Sequence, residues 1–217
     1  MTTLAVMKAR IVREIRRSNI DTDIAAAITT AIEQYQSERW YFNETRDFTF
    51  ATVANQEVYD SDDDADLANI IKFDHVNWVQ SANAFPLDPI SPERIEYLNA
   101  AGTFTGDPQG YCWYGEQFRI YPIPSAVYTI RVSCVKKVAA PASDGEASNR
   151  WMTDAELLIR CRAKYELYTH VLLNAEASAY FDPERDGSPT HSAYTTLKLR
   201  TNRQTQQGGW ALQPTQF

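Results

Sequence analysis

The sequence predicts an α+β protein: N- and C-terminal helices form one helical bundle, an antiparallel β domain is inserted between them, and an extended tail ends the chain. Three observations predict it. Apolar residues recur at three- and four-residue steps before residue 43 and again after residue 150, they alternate with a period of two in between, and the closing stretch TNRQTQQGGWALQPTQF has neither period. The resulting division is a helical hairpin over 1–45, an inserted β domain over 46–138, a linker over 139–149, helices completing the helical domain over 150–202, and the tail over 203–217.

The first helix places Leu4, Met7, Ile11 and Ile15 on one stripe with arginines on its flanks. The second is expected to start at Asp21 or Thr22 as the cap and to present Ile24, Ala27, Ile28, Ala31, Ile32 and Tyr35 before Trp40, Tyr41 and Phe42 close it. From Asp47 the period changes, with Phe48 and Phe50 alternating against Thr49 and Ala51, and a second strand returns at Val58 and Tyr59. IIKFDHVNWVQ is β-branched and aromatic and reads as a strand, and Ser91-Pro92-Glu93 is a helix start with a capping Ser and Pro at the first helical position. Strands are expected over 110–114, 117–121 and 127–138, the first two joined at Gly115-Glu116, with Tyr128, Ile130, Val132 and Cys134 on one face of the third. AAPASDGEASN is small and polar, as linkers are. Thr153 and Glu156 then stand in capping-box spacing at the head of a long helix whose seam is Leu158, Cys161, Tyr165, Tyr168, Leu172, Ala175 and Ala179. Asp182-Pro183 ends it, and a last helix is expected from Pro189 to about Thr201, with Tyr194 and Leu197 inward.

Composition bounds the class. The 217 residues are 44% hydrophobic and 23% charged, enough for one buried domain or two small ones, and no apolar run is long enough to span a membrane. The opening MTTLAVMKARIVREIRR puts basic residues after and among the apolar ones, the wrong order for a secretory signal, so export by that route is not expected. Cys112, Cys134 and Cys161 sit in apolar runs at spacings unsuited to a disulfide framework or a zinc site, and are expected to be reduced and buried. A net charge of -7 argues against a general nucleic-acid binder, which gains affinity by neutralising phosphates. The charge is nonetheless segregated. Lys8, Arg10, Arg13, Arg16 and Arg17 make one end basic, whereas Asp60, Asp62, Asp63, Asp64 and Asp66 make one loop acidic.

Motifs of chemistry are sparse. The chain has no phosphate loop, no GxGxxG and no HExxH, and its Ser and Cys residues sit in no nucleophile signature. The Asp60–Asp66 stretch lacks the glycine and the distal Glu of an EF-hand, so a solvated turn or a face for a basic partner is the better reading. His75, His170 and His191 are scattered; a metal site from His170, His191 and Asp186 would need tertiary coincidence. Glu33 with Glu38, or Glu44 with Asp47, are the carboxylate pairs that a cell-wall-degrading glycoside hydrolase would need. A carbohydrate- or protein-binding module built on the β region is the other alternative. No catalytic residue, metal or cofactor is assigned.

One arrangement is more specific. AIEQYQSERWYFNE runs directly into FTFATVANQEVY; IIKFDHV opens a strand, a Gly-x-Pro turn precedes YCWYGEQFRIYPIPS, and NRWMTDAELLIRCRAKYELYTHV follows. Over residues from about 20 to 175 this order resembles the head-to-tail adaptor family of tailed bacteriophages, also called connectors or tail accessory factors. The resemblance implies a structural, non-enzymatic protein of the virion neck, assembled in the host cytoplasm, with a β insertion in a helical bundle. It further implies a ring of twelve copies bound to the portal protein, a tail or nozzle protein docked below, and genomic DNA passing through the lumen without sequence-specific contact. A C-terminal extension reaches the portal in that family. Here Gly208, Gly209, Trp210, Leu212 and Phe217 occupy the corresponding place, as contacts to the portal or a neighbouring subunit. Arg10, Arg13, Arg16 and Arg17 on one side and Asp62, Asp63 and Asp64 on the other are candidates for charge contacts between subunits or with the neck.

Overall fold

A computed structural model describes residues 2–100 and 104–206. In chain order the elements are α1 (Leu4–Ile15), α2 (Asp21–Tyr35), β1 (Glu44–Ala51), β2 (Val58–Tyr59), β3 (Ile70–Gln80), β4 (Asn83–Pro86), β5 (Asp88–Pro89) and α3 (Pro92–Asn99). They continue with β6 (Thr105–Gly106), β7 (Gly110–Tyr114), β8 (Gln117–Tyr121), β9 (Ile123–Pro124) and β10 (Thr129–Lys136). The chain closes with α4 (Arg150–Thr153), α5 (Glu156–Glu166), α6 (Ala175–Phe181) and α7 (Pro189–Gln206). The result is an α+β protein of helices and antiparallel sheets. Two compact units emerge, one from the residues up to Asn43 together with those from Val138 onward, the other from Glu44–Lys137.

In the helical unit the apolar stripes meet in a single core. Met7, Ile11 and Ile15 of α1, the six expected residues of α2, Leu158, Ile159 and Ala163 of α5 and Ala193 and Leu197 of α7 are all buried there. Thr3 caps α1 by accepting from the Val6 amide. Neither expected cap of α2 acts as one: Ile20 holds the cap position, and Asp21 and Asp23 sit inside the first turn, where their charges oppose the positive end of the helix dipole. That helix ends at Tyr35, and Trp40 lies in the following turn, its indole N–H donating to the Tyr35 carbonyl at 2.9 Å and its amide to Asn43 Oδ1 at 2.8 Å.

The long helix expected from Thr153 is broken twice. Asn149 caps α4 instead, Thr153 ends that helix with its hydroxyl donated back to the Asn149 carbonyl, and Ala155 holds the cap position of α5 without a side-chain bond. After α5 the backbone widens into a five-residue π turn over Leu167–Val171, Leu173 turns left-handed at φ 49, and Asn174 caps α6 afresh. The expected seam therefore ends near Tyr168, and Ala175 and Ala179 are exposed. Its buried replacement runs through Leu158, Ile159, Ala163 and Leu167. The linker is tied down on α1, with Ala5 donating to the Asp144 carbonyl and Lys8 paired to the Asp144 carboxylate at 2.6 Å. The last helix continues past Thr201 to Gln206, so residues 203–206, expected in the tail, are helical. Thr201 and Thr205 absorb their hydroxyls on carbonyls one turn back, and no glycine interrupts before Gly208.

The β unit has two four-stranded sheets, ordered β1-β10-β3-β4 and β2-β8-β7-β5, and a two-stranded pair β6-β9. β1 and β2 belong to different sheets, as do β8 and β10, so only β7 and β8 of the strands expected after Gly106 form a hairpin. Gly115 and Glu116 turn it, both at positive φ as a type I′ turn requires. The β5–β7 and β6–β9 pairings are parallel, an exception to the antiparallel plan, and β4 was not anticipated from the short, proline-containing Asn83–Pro86. Phe48, Phe50, Val76, Trp78, Ile130, Val132 and Cys134 from the first sheet meet Tyr59, Tyr111, Phe118 and Ile120 from the second in one aromatic core.

Gly110 is needed where β5 approaches β7. A Cβ there would lie 2.3 Å from Ile90 Cδ1 and 3.0 Å from the Asp88 carbonyl oxygen, and the second of these is backbone that cannot step aside. Gly110→Ala is expected to cost about 1–3 kcal/mol as an overpacking change. Thermal melting checks this; a midpoint within about 1 °C of the parent would sink the close-approach account.

Candidate interaction surfaces

In the helical unit three carboxylates organise the charged side chains. Asp154, at the turn between α4 and α5, accepts from the Tyr41 hydroxyl at 2.5 Å, Arg150 at 2.9 Å and Thr153 at 3.2 Å, with Arg200 of α7 at 3.7 Å. Burial alone would raise its pKa, yet these donors hold it below the usual carboxylate range, and the same contact together with burial pushes the Tyr41 hydroxyl up. Glu14 of α1 takes Arg160 at 2.6 Å and the nearly buried Lys164 at 2.7 Å, both on α5. Glu38 takes Lys198 at 2.5 Å and the Tyr194 hydroxyl at 2.9 Å; burial first, then Glu38, raises that phenol to about 12. These contacts link elements far apart in sequence.

The basic residues of α1 divide into two groups. Arg10 pairs with Glu156 at 3.0 Å and Lys8 with Asp144, whereas Arg13, Arg16 and Arg17 at the end of the helix are exposed. In the acidic loop, Asp63 accepts from the Asp60 amide and from Gln56, Asp60 from the Asp62 amide, and Asp64 from the Asp66 amide, so much of its charge serves to shape the turn. Asp66 pairs with Lys136 at 2.8 Å, which holds its carboxyl below the normal value. Asp62 is exposed.

The residues weighed for chemistry lie in different surroundings. Glu38 is engaged by Lys198 and Tyr194 while Glu33 is exposed on α2. His170 faces Glu166 and His191 faces Asp186, each at 3.4 Å, in separate pairs. Among the described residues no three metal-ligating side chains cluster. Cys112, Cys134 and Cys161 are free and buried, and burial pushes the Cys134 thiol up to about 11. Asp47 lines a cavity of about 810 Å³ in the β unit, with Arg46, Asp74, His75, Asn77, Asp88, Arg131 and Ser133 among its other walls. Its three aspartates and two arginines make it polar but of mixed sign.

A second concave surface was not anticipated. The breaks around α6 leave that helix with no buried residue, and a groove of about 420 Å³ opens between it and the end of α5, lined by Tyr165, Tyr168, Leu173, Ala175 and Ala179. Leu173 is 79% exposed and Tyr180 58%. The only advance signal was Asn174 as a cap inside the supposed long helix.

The chain matches the model of the SU10 adaptor protein family over residues 2–212. It belongs to that family. No curated protein matches it. The SU10 adaptor family is one of structural phage proteins, and membership agrees with the adaptor class expected from the ERWYFNE junction, the FRIYPIPS strand and the NRWMTDAELLIR segment. Its match runs through both units and takes in Trp210 and Leu212, although not Phe217. Gly208, Gly209, Trp210, Leu212 and Phe217 all lie outside the described residues. Among those described, no helix is long and apolar enough to cross a membrane.

Proposed function

We propose that this SU10 adaptor is a head-to-tail adaptor of the virion neck, which binds the portal as a dodecameric ring, extends the DNA channel and offers a docking platform to the tail or nozzle protein. The observation that carries this reading is the family match across both units and into the tail. Surface chemistry supports it. Leu173 and Tyr180 flank the groove beside α6 in the helical unit and are exposed, as apolar groups are where a surface becomes covered in an assembly. Ring closure needs heterologous contacts, one face of each copy meeting a different face of the next. Arg13, Arg16 and Arg17 on α1 and Asp62, Asp63 and Asp64 in the acidic loop are proposed charge contacts of that kind or contacts with the neck. Arg10 contributes less freely, because Glu156 already holds it. A net charge of -7 suits a channel through which DNA slides without specific binding.

The terminal QGGWALQPTQF supplies uncharged anchors for the portal or a neighbouring subunit. Mixing the full-length chain with assembled portal should give a single complex whose microscopy shows a twelve-fold ring, and removing residues 207–217 should weaken it at least tenfold, about 1.4 kcal/mol. A chain that stays monomeric beside portal over the concentrations at which neck proteins assemble would overturn the proposal.

A further inference from the structure

The groove beside α6 has features of a binding site. Leucine is poorly suited to the left-handed conformation that Leu173 adopts, and its side chain projects into solvent, so the position is unfavourable in both backbone and hydration terms. The surface around it is held firmly. Thr169 and Ser178 share a hydrogen bond at 2.5 Å, Tyr168 stacks on Phe181 at 5.9 Å, Lys164 sits 4.2 Å over the Phe181 ring, and Thr190 donates to the Phe181 carbonyl at 2.6 Å. A preformed apolar cleft binds with little ordering cost.

The position of α7 restricts what can fill it. Arg200 faces Asp154, Ala193 and Thr196 lie beside Leu157 and Leu158, and Pro189 lies beside Cys161 and Lys164, so α7 runs antiparallel to α5. Tyr165, Tyr168 and Leu173 continue past the start of α7, at the end opposite Gln206. The 18 residues of α7 separate that end from Gln206 by about 25 Å. Four residues of fully extended chain carry Trp210 at most about 14 Å beyond Gln206, and about 20 Å with its indole. Trp210 therefore falls short of the groove in its own copy, whereas a second copy places no such limit on it.

We infer that the groove between α5 and α6 receives the C-terminal segment of a second copy of this chain, with the Trp210 indole seated between Tyr168 and Leu173. The segment is chemically matched: residues 207–217 have no charged side chain and hold Trp210, Leu212 and Phe217 as their large apolar groups, and the groove walls are aromatic and aliphatic apart from Asp182 and the hydroxyls of Thr169 and Ser178, which are hydrogen-bonded to each other. Each copy then gives a tail and receives one, a heterologous exchange able to close into a ring. The inference deepens the adaptor reading by choosing the neighbouring subunit as the partner of the tail.

The test replaces Trp210 with photoreactive p-benzoylphenylalanine in the full-length chain, mixes unlabelled with nitrogen-15-labelled protein, and irradiates it both with assembled portal and at high concentration without it. The expected products are mixed-isotope cross-links from position 210 to residues 165–182. Leu173→Asp, at a site too exposed to disturb folding, should lower their yield at least tenfold. Cross-links confined to the portal, to the same copy or to other surfaces overturn the inference while leaving the adaptor reading intact. Copy-to-copy cross-links at residues 165–182 without any portal complex support the inference and sink the adaptor reading instead.

Discussion

Trp40→Ala is expected to lower the stability of the helical unit by about 3–5 kcal/mol, the range for deleting a fully buried large aromatic side chain. Trp40 has no exposed surface and stands at the centre of an aromatic cluster, edge-on to Tyr35 at 6.4 Å and Tyr194 at 5.8 Å and stacked near Phe42 at 6.4 Å. Lys198 lies 4.1 Å over its ring. The neighbours cannot close the gap. Tyr194 is fastened to Glu38, Lys198 to Glu38 and the Arg39 carbonyl, and Phe42 is wedged against Trp151 at 5.2 Å. The lost indole N–H also removes the shorter of the two hydrogen bonds that the Tyr35 carbonyl accepts at the end of α2, leaving it the Glu38 amide at 3.2 Å. Urea unfolding followed by circular dichroism measures the effect, and Trp40→Phe separates its parts: a retained ring should limit the loss to about 1–2 kcal/mol. A loss below about 1 kcal/mol for the alanine variant would mean that the cluster collapses onto the void.

Trp40 also illustrates what the sequence could and could not disclose. Its burial was legible from an apolar run at the end of an amphipathic helix, as were the inward faces of α1 and α2, the long strand β3 and the hairpin at Gly115-Glu116. These features depend on residues within one or two turns of each other, where periodicity and turn chemistry speak directly. The sheet partners of β1 and β2 did not follow, because pairing across the β unit is decided by side-chain packing between strands distant in sequence. The break at Leu172–Asn174 was hidden for another reason. Tyr168, Leu172, Ala175 and Ala179 keep helical spacing straight through it, so a local rule reads continuity where the backbone restarts at Asn174. That break makes the groove beside α6. The candidate surface was thus less legible than the fold, and the resemblance to phage adaptors, carried by packing segments, conveyed class rather than contacts.

Asp154→Ala is expected to cost about 2–3 kcal/mol at neutral pH, because the carboxylate is 14% exposed and is the common acceptor for groups from three parts of the helical unit. Arg150 and Arg200 are half exposed and can return to water; Tyr41 loses most, its hydroxyl left without an acceptor beside α7. The pH dependence has a definite sign. With its folded pKa below its unfolded one, Asp154 contributes stability that is fully present above the unfolded value of about 4 and is lost as pH falls through the folded pKa. Alanine has nothing to titrate. The gap in thermal midpoint between parent and Asp154→Ala should therefore be widest near pH 7 and narrow on acidification below about pH 4. An unchanged gap at low pH would show that packing, rather than the ionised carboxylate, is what the substitution removes. Asp154→Asn isolates the charge further, since the amide keeps an acceptor for Tyr41 while giving up the ion pairs. It should recover part of the neutral-pH loss, and Tyr41→Phe in the same background should then cost less than it does in the parent, because the acceptor it abandons is no longer an anion.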